Sequence, residues 1–171
     1  MTPRTVRRPI ATDTAGSCDQ AQTAGFAGLI SGAQLLTLKG AQAVETLCVG
    51  DRILTRNGAV PVTRIDMLSA LVPAVYVIAG SLGHSRSDRD ALLSADQMVF
   101  LHDWRAPVLR GRRTALVPAH ALVDGEFVRD VGQQLVTLYR IFCDAPQILF
   151  ADGLTLGTAD AVASTAGLQA T

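Results

Sequence analysis

Turn-forming residues interrupt this chain about every 8–12 residues, a spacing that leaves no room for long helices and favours a succession of short strands. Lys39-Gly40, Gly50-Asp51, Asn57-Gly58, Ala95-Asp96, Asp124-Gly125 and Asp152-Gly153 mark the interruptions. Asn57-Gly58 is the strongest signal, because the tightest hairpins need positive φ at both central positions and Asn and Gly tolerate it best. Short apolar or alternating runs lie between the turns, at residues 34–38, 43–47, 52–55, 60–66, 72–78, 90–94, 98–102, 114–118, 135–144 and 147–151. Pro61 cannot donate to a ladder and marks an edge or a bulge. Residues 79–89 and 110–113 read as loops, and residues 119–123 as one helical turn. The fold class expected is all-β, many short strands with at most a short helical turn.

The core must be aliphatic, since 49% of residues are hydrophobic and only 5% aromatic. A length of 171 residues suits one domain with a tail at either end. We expect a leader over residues 1–25, the β domain over 26–156 and a tail over 157–171. Arg4, Arg7 and Arg8 give the start a charge like that of a signal peptide, but the polar run ATDTAGSCDQAQTAG supplies no apolar region. No apolar run approaches the ~20 residues that cross a bilayer, so no membrane span is expected. The compartment stays open, cytoplasmic or reached by a non-classical export route.

Formal net charge is zero, which removes any global field toward nucleic acid or an anionic surface. Arg105, Arg110, Arg112 and Arg113 form a local basic cluster. Only Trp104 stands near them for base stacking, so a solvated loop is the expectation and no nucleic-acid partner is. Cys18, Cys48 and Cys143 are far apart, with no C-x-x-C pair and no Cys/His cluster. That pattern predicts no metal site, no disulfide framework and no cofactor.

Residues 32–58, G-A-Q-L-L-T-L-K-G-A-Q-A-V-E-T-L-C-V-G-D-R-I-L-T-R-N-G, with Val44, Glu45, Leu47, Gly50, Asp51, Leu54, Thr55 and Gly58 fitting its pattern, resemble the opening of the bacterial Hint (hedgehog/intein) domain family. Residues 92–100 (L-L-S-A-D-Q-M-V-F), 116–125 (L-V-P-A-H-A-L-V-D-G) and 136–153 (V-T-L-Y-R-I-F-C-D-A-P-Q-I-L-F-A-D-G) resemble its later segments in the same order. The resemblance implies a horseshoe fold across residues 30–154, whose two ends must meet.

It also implies a chemistry of self-processing. A Cys or Ser at the start of the domain attacks the preceding carbonyl and turns an amide into a thioester or ester, which demands close alignment. A His on the middle strand assists at the scissile amide, and polar groups near the last strands move protons. Carried over position by position, the nucleophile falls on Gly28, which has no side chain. The middle His falls on Gln97, which bonds but transfers no proton near neutral pH. Two further His positions fall on Arg140 and Pro146. Ser31 and Asp144 are the weak candidates that remain for nucleophile and acid, and Cys18 is a still more distant substitute. His84, His102 and His120 read as surface or cap residues.

The expectation is therefore a degenerate Hint domain that is not an enzyme and serves as a binding or structural module for an unidentified protein partner. Two alternatives remain open: an active domain with a displaced nucleophile, and an unrelated β-barrel or sandwich that binds a ligand. Separation of residues 34–38 and 147–151 would favour the last over the horseshoe.

Overall fold

The same turn device closes the first two hairpins. A computed structural model describes residues 27–82 and 89–161. It opens with β1 (Leu29–Ile30), then β2 (Gln34–Thr37) and β3 (Gly40–Ala43), a 3-10 turn at Val44–Thr46, then β4 (Arg52–Thr55) and β5 (Gly58–Pro61). Thr37 pairs with Gly40 and Thr55 with Gly58, so each loop holds two residues and ends on a glycine. Those glycines have φ of 105° and 104°, which a Cβ would disfavour. The threonine hydroxyls donate to Gly40 O at 2.8 Å and to Gly58 O at 2.7 Å. They also accept from the N–H of Lys39 and of Asn57. At Asn57-Gly58 only the glycine takes positive φ, since the turn is centred one residue earlier than the dipeptide suggests. The turn with both central residues at positive φ is Asp152 (50°) and Gly153 (74°).

After β5 the chain runs through β6 (Arg64–Val77), β7 (Ala91–Ser94), β8 (Met98–Leu101), α1 (Arg105–Arg110), β9 (Ala115–Pro118) and a 3-10 turn at Ala119–Leu122. It finishes with β10 (Val128–Phe142), β11 (Ile148–Ala151) and β12 (Leu154–Gly157). The described strands form two antiparallel sheets. One has the order β1-β10-β6-β7. The other has the order β3-β2-β4-β11-β12-β8-β9, with β5 on β4.

Several elements depart from the sequence reading. Residues 60–66 and 72–78 are not separate strands: Arg64–Val77 is continuous and pairs along its length with Val128–Phe142. The ribbon projects far enough that both faces are partly exposed, which blurs the alternation a half-buried strand shows. A bulge between Asp130 and Gly132 bends it. The runs around Ala95-Asp96 do not pair with each other, because β7 joins β6 and β8 joins β9 and β12. A short helix precedes the basic turn, stopped by Gly111 at φ 66°, whose N–H bonds to Pro107 O. β12 has no counterpart in the expected series.

The two ends of the domain lie side by side. Leu35 on β2 pairs with Ala151 on β11, and Leu29 on β1 pairs with Tyr139 on β10. That meets the expectation for the horseshoe, whereas separation of residues 34–38 and 147–151 would have favoured an unrelated fold. Leu35, Ile53, Leu149, Leu154 and Leu156 are at most 1% exposed and belong to one aliphatic core beneath this junction. Among the described residues, no helix is long and apolar enough to cross a membrane.

Leu149→Ala should cost about 2–5 kcal/mol in chemical denaturation. Leu135→Ala, on the exposed ribbon at 77% exposure, should change stability by no more than about 0.5 kcal/mol. Equal losses for the two would sink this placement of the core.

Candidate functional site

The register of β1 against β10 decides what faces Gly28. Leu29 pairs with Tyr139 and Ile30 with Leu138, so Gly28 lies beside Arg140. A Cβ built on Gly28 would stand 3.3 Å from Arg140 Cγ, 3.3 Å from Tyr139 O and 3.4 Å from Leu138 Cβ. A side chain at position 28 would therefore press on the Arg140 stem, which would have to give by a few tenths of an ångström. Its guanidinium carbon lies 5.5 Å from the centre of the Phe142 ring, and its Nε is buried with no hydrogen-bond partner. Two of the four family positions, Gly28 and Arg140, are therefore neighbours.

Gln97 serves a different contact. It lies between β7 and β8, is 2% exposed, and donates from Nε2 to Gly157 O at 2.8 Å and to Met98 O at 3.2 Å. Gly157 can come so close only because it lacks a side chain: a Cβ there would meet Ala161 Cβ at 2.9 Å and Met98 Cβ at 3.2 Å. Beyond it Thr158 N donates to Gln147 O, and Ala159 N to Ile141 O. Thr158 Oγ1 accepts from Gln147 N at 3.0 Å and donates to Asp160 Oδ1 at 2.6 Å. Residues 157–161, which read as the start of a tail, thereby link Gln97 to the far end of β10. The missed signal was Gly157-Thr158, a small residue followed by a hydroxyl after an apolar run.

Pro146 sits half-buried between β10 and β11, and Asp144 is exposed in the same turn. Its neighbour Cys143 is buried, and burial above all, with the charges of Asp160 and Asp144, pushes its thiol up to about 11. A thiol held there is protonated at neutral pH and a poor nucleophile.

Ser31 is exposed, and its hydroxyl donates to Glu45 Oε1 at 2.5 Å. The same carboxylate oxygen accepts from Gly32 N. These bonds, that from Ser31 first, hold the Glu45 carboxyl below its usual range and make it a weak base. Ser31 N donates to Thr137 O at 2.9 Å, and the preceding Ile30 carbonyl accepts from Ala33 N at 3.1 Å.

His120 Nδ1 lies 3.0 Å from Ala95 O and must donate, because a carbonyl only accepts. His102 is exposed and stacks at 6.5 Å from Phe100. His84 and Cys18 lie outside the described residues. An open cleft of about 360 Å³ runs beside Gln34, Arg89, Phe150 and Asp152, and none of the four family positions lines it. Among the described residues no group of His, Cys, Asp and Glu is placed to hold a metal ion.

Comparison with known proteins gives this geometry a frame. The family model described as Hint domain matches residues 27–160. The crystal structure of the gp41-1 intein superposes with a TM-score of 0.53 at 10% identity, covering 75% of this chain and 96% of that one. The solution structure of a bacterial intein-like domain from Clostridium thermocellum gives 0.53 at 16% identity, covering 77% and 98%. A DnaB intein from Synechocystis gives 0.53 at 13% identity, covering 77% and 99%. No curated protein matches the sequence.

Two measurements check the site. Gln97→Leu leaves Gly157 O without its side-chain partner and should cost about 1–3 kcal/mol in denaturant unfolding; an unchanged midpoint would show that the bond carries nothing. In a Cys18→Ser background, a thiol reagent should label exposed Cys48 rapidly and Cys143 only on unfolding. Equal native-state rates would contradict the burial of Cys143.

Proposed function

We propose, from the premise that this chain belongs to the Hint domain family, that it keeps the family's scaffold without self-processing and acts as a binding or structural module. The observation that carries this reading is the packing of the Arg140 stem against Gly28. An acyl shift needs a nucleophile at a place set to within a fraction of an ångström. Position 28 offers none, and a Cβ there would already stand 3.3 Å from the Arg140 stem.

The other positions support the same reading. The amide of Gln97 is committed to Gly157 O, a structural bond. It has no proton to give at neutral pH. Arg140 is always charged, so it cannot serve as a general acid or base. Pro146 has neither a polar side chain nor an N–H.

Ser31 supports the second reading, a displaced nucleophile. Its hydroxyl proton has a carboxylate acceptor in Glu45, and the Ile30 carbonyl it would attack is polarised by Ala33 N–H. Two features weigh against it. Glu45 is a weakened base. The Ser31 amide nitrogen, which would have to leave, donates to the Thr137 carbonyl, a group with no proton to supply.

Fusing a cargo protein ahead of the chain and following intact mass tests both readings. One uncleaved mass is expected, with and without added thiol or hydroxylamine, and also for Gly28→Cys alone. A product split at Gly28 would falsify the non-processing reading. Cleavage at Ser31 that Ser31→Ala abolishes would establish the displaced nucleophile instead.

A further inference from the structure

We propose that the loop joining β8 to β9 is a docking surface for an anionic lipid bilayer. The two strands pair Leu101 with Ala115, so residues 102–114 form the connection of a single hairpin. Such connections need only about two to five residues, and a much longer one calls for a role.

Its composition narrows that role. Trp104 is 70% exposed, Val108 74% and Leu109 41%, while Ala106 alone in the helix is buried. Trp104 and Val108 stand one helical turn apart and so share a face. Arg110, Arg112 and Arg113 follow at the outer end, all exposed, and residues 104–114 contain no acid. The whole chain has no net charge, so this density of cations is local.

The root of the loop is anchored. Arg105 bonds to Ser81 O at 3.1 Å and to Asp103 at 3.4 Å, and its guanidinium carbon lies 5.2 Å from the Trp104 ring centre. Ala106 is fully buried beneath the helix. Anchoring at the root holds the apolar and cationic groups out in water together.

A bilayer surface uses both kinds of group. Trp belongs at the headgroup level, and Val and Leu side chains enter the boundary with the acyl chains. Guanidinium groups meet lipid phosphates and carboxylates, and their stems cover apolar surface. A single-stranded nucleic acid would leave Val108 and Leu109 unused and would need more than one stacking ring. The inference stands apart from the non-processing reading, since none of these residues occupies a family position.

Trp104 is the only tryptophan in the chain and reports its own environment. With phosphatidylcholine–phosphatidylserine vesicles, its emission should move to shorter wavelength and be quenched by lipids brominated on the acyl chains. Pure phosphatidylcholine should do neither, and high salt should release the protein. The triple variant Arg110→Glu, Arg112→Glu, Arg113→Glu should partition about a hundredfold more weakly, from the contribution of each basic residue near such a surface. Val108→Ser should weaken partitioning at unchanged charge. Absence of vesicle binding at low salt, an unquenched Trp104, or unchanged partitioning of the triple variant overturns the proposal. So does binding of oligothymidylate or polyglutamate in place of vesicles. Should a variant lose its circular dichroism, quenching in the unmodified chain still decides.

Discussion

The junction of β2 with β11 is the constraint on which the rest of the molecule depends. Leu35 pairs with Ala151, and Gln34 and Asp152 close the junction with two bonds: Asp152 N to Gln34 O at 2.9 Å, and Gln34 N to Asp152 Oδ1 at 3.0 Å. Asp152 does this from positive φ at the head of the β11–β12 turn, where its carboxylate folds back over the chain. Burial raises its pKa, against the pull of Gln34 N–H and the Arg89 charge. Each bond is worth about 0.5–1.5 kcal/mol net. The larger contribution comes from Leu35, Leu149 and Leu154, which meet beneath it at no more than 1% exposure. Closing residue 34 onto residue 152 encloses most of the domain in one loop, and loop-closure cost grows only slowly with length.

β1 lies beside β10, and the last strand, β12, lies beside β8. Strand pairing brings Gly28 to Arg140, and a side-chain bond ties Gln97 to Gly157, so neither contact needs a catalytic residue to exist. Gln97 and Gly157 hold the last strand down, and Arg140 packs its stem on a glycine. The buried Arg140 Nε without a partner is the one cost visible there.

Much of this was legible in the residues, and the remainder was hidden for identifiable reasons. Turn spacing revealed an all-β chain, and the opening segment through Gly50-Asp51 and Thr55 to Gly58 pointed to the family. Residues 119–123, ahead of Asp124-Gly125, announced the second 3-10 turn. The length of the β6–β10 ribbon was not readable, because its pairing partners are some 50 to 80 positions apart and both faces meet solvent. α1 escaped because six residues containing Pro107 give no helical period. The site was legible as identities but not as contacts. Nothing local says that the Arg140 stem would pack against Gly28, or that Gln97 would reach Gly157; register alone does that.

Register also accounts for where the molecule can vary. The β8–β9 ladder fixes Leu101 opposite Ala115 whatever lies between them, and Ala106 with Arg105 fastens the root of the intervening segment. Beyond the root, residues 107–113 are all exposed, so they answer to no packing partner within the described chain. An exposed Trp, Val and Leu beside three arginines is a poor arrangement for a surface that only meets water, because ordered apolar groups there gain nothing from burial. The scaffold tolerates that arrangement because its own stability is settled elsewhere, at the junction of β2 with β11. Separation of this kind lets one loop acquire a surface property without disturbing the pairing that holds the fold together.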